Sequence, residues 1–408
     1  MADFTRKEII EKVMNYPKPI NFSGVDFSTL NLAGLDFSET ILNSSKLFHC
    51  EINELNLKKA HLENVLFEST SGIPFFGATV LKNCGFTHLE NLDFGKYNFE
   101  FCSLDKVFFV KEFSLEVPDK LVRPNLNFKK CTIGSINFHS DLEITIIECD
   151  VSSLSSGLIT HKNIIEPIPD RLGKKYRQKL KIKNCKIASI DFFDTDAYGS
   201  EMRNNEFSKF CFNEINGSNL KISGNKFQGN SDKFQSGSFN NSTFESGSFS
   251  YNSFVGGEFS KCTFLYTEFD SNKIKNSFLI SCQFKKLRFR RNQISKHELN
   301  RVDFEDCEIE SNEFENLEIA SSKYINSKII KSKFSNSEFS NIVFENVHLI
   351  KCEFKNVIFK NCDLSNLEID DLTKFENIQF IECEGIEKIN IINIPPKKKS
   401  FWSSLLGE

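Results

Sequence analysis

Apolar and polar positions along this chain follow a period that belongs neither to a helix nor to a flat strand. From Phe234 to Ile369 every fifth residue is Phe, Leu, Ile or Tyr, twenty-eight positions without a miss. Helices return a side chain to the same face after about 3.6 residues and strands after two. A five-residue period therefore predicts a solenoid that turns a corner every five residues and buries one large side chain at each step, since stacked coils cover a core that no single coil could cover. The residue two before each large one should also point inward, with less room. Small or medium side chains fill that slot: Gly237, Ser242, Cys262, Thr267, Ser277, Cys282, Cys352 and Val357.

The same phase opens the chain, with centres five apart from Phe22 to Phe67. In Val25-Asp26-Phe27, Leu30-Asn31-Leu32 and Leu35-Asp36-Phe37, Asp or Asn stands between the two inward residues. This arrangement resembles the pentapeptide-repeat family, whose usual motif is A-(D/N)-L-x-x, over most of residues 20 to 385. The resemblance implies an all-β fold, a right-handed quadrilateral β-helix with twenty residues per coil. Roughly fourteen coils spaced by about 4.8 Å would make a shaft of roughly 65 Å.

Residues 1–19 are expected to form an N-terminal capping helix. Thr5 and Glu8 have capping-box spacing, Ile9, Ile10 and Val13 give an apolar stripe, and Pro17 stops the helix. An N-terminal lobe with corner loops is placed at 20–140. A non-repeating basic insertion follows at 141–181, then a C-terminal lobe at 182–385 whose repeats are continuous from 234 to 369, and a basic and aromatic tail at 386–408. The spacing of fifteen from Phe192 to Phe207 predicts that the weaker segment between them stays in the coil.

Composition narrows the function more than it identifies it. Phe supplies 44 residues and Trp one, the mark of one side chain reused in one slot, and the net charge of -4 is neither a basic footprint for nucleic acid nor a dense acidic field. The start Met1-Ala2-Asp3-Phe4 has no apolar leader, and no window reaches membrane-spanning length. The expectation is a cytoplasmic protein, with export by a specialised secretion system left open. Thirteen cysteines include no C-x-x-C pair, which predicts reduced thiols.

Each cluster that looks chemical is weighed against a structural use. Cys50, Cys84, Cys102, Cys131, Cys149, Cys185, Cys262, Cys282, Cys307, Cys352 and Cys362 fall in the small inward slot and are expected to be buried and inert. Asn252, Asn272, Asn292 and Asn312 fall there too, twenty apart, and should stack as an amide ladder. The basic run Lys285, Lys286, Arg288, Arg290 faces Glu305, Asp306, Glu308 and Glu310 one coil on, so neutralisation is expected. The column Glu268, Arg288, Glu308, Lys328, His348, Glu368 alternates likewise. Glu298, Glu318 and Glu338 do not alternate, and a stack of like charges marks a candidate binding face.

Two further candidates lie off the shaft. Lys174, Lys175, Tyr176 and Arg177 belong to the insertion, where a loop carried on a rigid scaffold suits recognition. Phe401, Trp402 and Leu405 follow Lys397-Lys398-Lys399 in the tail, where they could dock on a partner or touch an anionic membrane weakly. No catalytic, metal-binding or phosphate-loop motif occurs, so no cofactor, metal or catalytic residue is assigned. The function expected is a non-enzymatic bacterial protein-protein interaction scaffold. The alternatives are a DNA mimic that binds a type II topoisomerase, which the resemblance suggests, and a secreted host-targeted effector. Base-specific nucleic-acid binding is not expected, and a homodimer is left open.

Overall fold

The computed structural model describes residues 2–68, 70, 72, 74–87, 96–100, 102–105, 107–110, 125–139, 142–156, 176–193, 195–208, 210–213, 215–228 and 237–389. Apart from one α-helix and a short 3-10 turn, these residues form short strands joined by corners, and every strand pair is parallel. The chain makes two compact units, Met1–Gly257 and Glu258–Glu408. The division falls inside the run from Phe234 to Ile369 that the period alone treats as one lobe. Gly256 and Gly257, at the end of the first unit, both have positive φ.

Unit 1 begins with the expected helix α1, Arg6–Asn15, closed by the capping box: Thr5 N–H donates to the Glu8 carboxylate at 2.7 Å and Glu8 N–H donates to Thr5 Oγ1 at 3.3 Å. Ile9 is its one buried residue. The Arg6 guanidinium reaches past the helix to the carbonyls of Asn31 and Ala33, which fixes α1 to the first coil. Where Asp or Asn occupies the slot between the inward pair, its side chain accepts the N–H two residues on, as Asp26 does from Ser28 at 2.9 Å and Asn31 from Ala33 at 2.9 Å. These Asx turns shorten the strand and tighten the corner.

The interruptions in unit 1 do not interrupt the stack. Leu104 pairs with Ile133, Ile133 with Val151, Val151 with Ile187 and Ile187 with Phe207, so successive coils are 29, 18, 36 and 20 residues long. The insertion read at 141–181 is accordingly too wide. Leu142–Ile147, Asp150–Ser156 and Tyr176–Lys183 are strands in register with their neighbours, and Ile146, Val151 and Ile182 are buried. Val151 is a modest filling for the large slot, and the coil is two residues short, which hides the period. The segment between Phe192 and Phe207 stays in the stack as expected, with Ala197 and Met202 buried.

Unit 2 is regular. Its four faces repeat every twenty residues, as in Phe264, Phe284, Phe304, Tyr324 and Phe344, which pair in register with ring centroids 4.8–5.3 Å apart. Each corner needs one residue in the left-handed region, with φ near +50°. Of the ten corners from 316 to 361, seven are Asn, the side chain after Gly that tolerates this region best. The last described coil ends on Gly385, at φ +76°, where an added Cβ would lie 2.5 Å from Ser365 N. A side chain there would push the closing turn off the coil before it.

Candidate binding surface

The inward chemistry is spent on structure. All eleven cysteines of the small slot are buried, and the remaining two, Cys211 and Cys383, are half-buried. Burial pushes the thiols of Cys50, Cys84 and Cys352 up to about 11 and those of Cys307 and Cys362 to about 12, so all five are protonated at neutral pH. In unit 1 backbone N–H groups donate along one column, Cys131 to Cys149 Sγ at 3.3 Å, Cys149 to Cys185 Sγ at 3.5 Å and Cys185 to Asn205 Oδ1 at 2.9 Å. The column continues through Asn225 to Asn252. Asn205 and Asn225 are twenty apart, but the 27-residue coil between Asn225 and Asn252 takes them out of phase with the later ladder.

In unit 2 the expected amide ladder joins Asn272, Asn292 and Asn312. Asn292 Nδ2 donates to Phe269 O and to Asn312 Oδ1, each at 3.0 Å, so both its protons are used. A second set of ladders runs outside, on the corners. Asn346 donates to Asn326 at 3.0 Å, Asn356 to Asn336 at 2.9 Å, Asn361 to Asn341 at 3.3 Å and Asn377 to Asn356 at 2.8 Å. The spacing of twenty at the left-handed corner was the signal for it.

The basic run is neutralised only in part, at Lys285 and Arg290. Lys285 pairs with Glu305 at 3.0 Å as expected. Glu308, in register with Arg288, is instead reached by Arg290 at 3.2 Å, and Arg290 also lies 3.6 Å from Glu310. Lys286 turns away from Asp306 toward Tyr266, with Nζ 3.2 Å from the hydroxyl and 5.2 Å from the ring centroid. Arg291 makes a two-pronged contact with Asp270 at 2.8 and 2.5 Å. His348 in its cationic slot meets Glu368 at 2.8 Å, Lys333 meets Glu353 at 3.3 Å and Lys355 meets Glu376 at 2.9 Å. Three faces of unit 2 thus carry paired charge.

The fourth face carries Glu298, Glu318 and Glu338, brought together in direct register on neighbouring strands. Glu318 and Glu338 are exposed and Glu298 is half-buried. Among the described residues none of the three joins an ion pair, with Arg301 or any other cation. Among the described residues the one side-chain hydrogen bond to the column is from the Ser340 hydroxyl to Glu338 at 2.9 Å. Phe278 precedes the column in register and Ile358 follows it, each half-exposed. Three carboxylates about 4.8 Å apart between apolar ends make an acidic strip one side chain wide.

The other candidates lie elsewhere. Lys174, Lys175, Phe401, Trp402 and Leu405 fall outside the described residues, as do the side chains of Tyr176 and Arg177, whose backbone belongs to the strand Tyr176–Lys183. Among the described residues there is no group of His, Cys, Asp or Glu that could hold a metal ion, and no helix long and apolar enough to cross a membrane.

Comparison with known proteins agrees with the repeat. A family profile for pentapeptide repeats matches residues 330–366, with eight copies. No curated protein matches the chain. Among solved structures it is similar to a trypsin-treated variant of QnrB1, a plasmid-mediated fluoroquinolone resistance protein, at 14% identity over 50% of this chain and 82% of that one, with a TM-score of 0.26. It is also similar to HetL, a pentapeptide-repeat protein involved in heterocyst differentiation regulation from Nostoc sp. strain PCC 7120, at 10% identity over 76% and 96%, with a TM-score of 0.19. The periplasmic alginate epimerase AlgG matches at 10% identity over 94% and 82%, with a TM-score of 0.28. Residues 330–366 thus match the pentapeptide-repeat family, and the same five-residue phase recurs in both units.

Proposed function

We propose that the protein works by binding rather than catalysis, as a rigid scaffold, and that the Glu298–Glu318–Glu338 strip receives a short basic segment of a partner protein. The observation that carries this reading is the contrast between faces: three faces of unit 2 each hold ion pairs, whereas the stacked glutamates of the fourth join none among the described residues. Three stacked carboxylates repel one another and gain most from an external cation. The strip is only about 10 Å long between its end residues, which suits a peptide segment better than imitation of a DNA duplex. The basic stretch at 174–177 and the tail around Phe401, Trp402 and Leu405 are proposed as additional recognition elements.

Titration calorimetry with a Lys-rich decapeptide at low salt tests the strip. Glu298→Gln, Glu318→Gln and Glu338→Gln combined should weaken binding about tenfold, on the scale of under 1 kcal/mol per exposed pair. A matched loss from Glu313→Gln and Glu353→Gln on a paired face would show general charge attraction and defeat the assignment. Inhibition of a type II topoisomerase by the full chain, unaffected by the triple change, would favour the DNA-mimic reading instead.

A further inference from the structure

The core of unit 2 is not filled evenly. In three successive coils two of the four central slots hold Ile or Leu where Phe would fill the shaft: Ile274 and Leu279, Ile294 and Leu299, Ile309 and Ile319. A cavity of about 40 Å³ lies among them. The neighbouring side chains register it independently. Phe314 keeps 9% and Phe289 7% of its surface uncovered, where Phe37 and Phe67 in unit 1 keep 0%. Leu279 is half-buried, while every other central residue from Phe259 to Leu364 is buried. The rings Phe269 and Phe289 are tilted by 35° with centroids 5.6 Å apart, whereas Phe314 and Phe334, one coil beyond, stack at 4.6 Å.

We infer that this hollow is a binding site for a small non-polar gas molecule, of the size of xenon or dioxygen. The lining is aliphatic and aromatic, and Tyr324 supplies the single hydroxyl among its side chains. A buried water needs two to four polar partners, so the space favours an apolar guest over water. Its volume is about a quarter of the ~150 Å³ of a cavity that takes benzene, which restricts the guest to a single atom or a diatomic. The attraction is dispersion from the surrounding carbon atoms, which lack partners on the cavity side.

Xenon-pressurised NMR of the full chain with labelled Ile and Leu methyl groups is the test. Saturable shifts confined to the methyls of Ile274, Leu279, Ile294, Leu299, Ile309 and Ile319 and their immediate neighbours are expected. Leu279→Phe should fill the hollow and reduce the shifts at the remaining five at least tenfold, and Ile294→Phe serves if that variant does not fold. Shifts that rise without saturation at surface and core methyls alike, or that persist undiminished in the filled variant, overturn the proposal. Magnetisation transfer from bound water to these methyls, with no xenon response, overturns it as well.

Discussion

The paired faces and the glutamate face of unit 2 share one backbone. Both stack their strands at the same twenty-residue spacing, with central residues of the same kind and the same small inward slot. Their difference is confined to the outward positions. On the paired faces a charge at one coil is answered at the next, as Lys333 is by Glu353, or diagonally, as Asp270 is by Arg291. On the fourth face three glutamates follow one another. Since hydrogen bonds and core packing set the coil whatever the outward side chain is, the fold tolerates this repulsion. Outward sequence is therefore where such a solenoid is free to become specific.

The comparison can be broken from the inside first. Asn292→Ala removes the acceptor for the Asn272 N–H and the donor to Phe269 O. It should cost about 2–3 kcal/mol in urea unfolding, since buried polar groups lose their partners. A loss below 0.5 kcal/mol would mean that the ladder is not the common frame.

Arg290→Glu would turn a paired face into an imitation of the glutamate face by replacing the partner of Glu308 and Glu310 with a third carboxylate. A loss of about 1–2 kcal/mol is expected, counting both lost attraction and new repulsion. Equal stability by the same measurement would show that outward pairing is decorative.

Glu318→Lys should act in the opposite direction. It relieves two like-charge contacts and should raise stability by up to about 1 kcal/mol while lowering affinity for the Lys-rich peptide. A destabilised variant would mean that the column is held by something other than tolerated repulsion. The smallest effect concerns salt. Raising ionic strength from 50 to 500 mM screens exposed charge, so the Tm gap between wild type and the triple Gln variant should narrow by roughly a degree. A gap that widens would contradict a repulsive column.

What could be read from the sequence depended on whether geometry enforced a period. The inward slots did, because every coil must fill the same shaft: Phe264, Phe284 and Phe304 announce themselves, as do the cysteines of the small slot. The Glu298–Glu318–Glu338 register followed from the same arithmetic. Contacts that leave the column did not: Arg291 finds Asp270 at a separation of 21 residues, and Lys286 prefers the Tyr266 ring to the carboxylate ahead of it. The corner asparagines were visible at positions 326, 336, 341, 346, 356 and 361, but their meaning needs the left-handed φ at each corner. Residues 142–156 stayed hidden because Val151 is an ordinary residue, whereas the coil identifies itself through Phe and Leu.

The unequal coils of unit 1 have a practical consequence. Between Val151 and Ile187 a coil spans 36 residues, yet the strands on either side remain in register. Closing a loop costs only about 0.6 kcal/mol more for each doubling of its length, so the chain can lengthen at such a corner with little loss. Foreign peptides grafted between Ser156 and Tyr176 would be carried on a framework that does not need to be redesigned around them. A display scaffold of this kind tolerates cargo because its order lies in the stack and not in the length of any one coil.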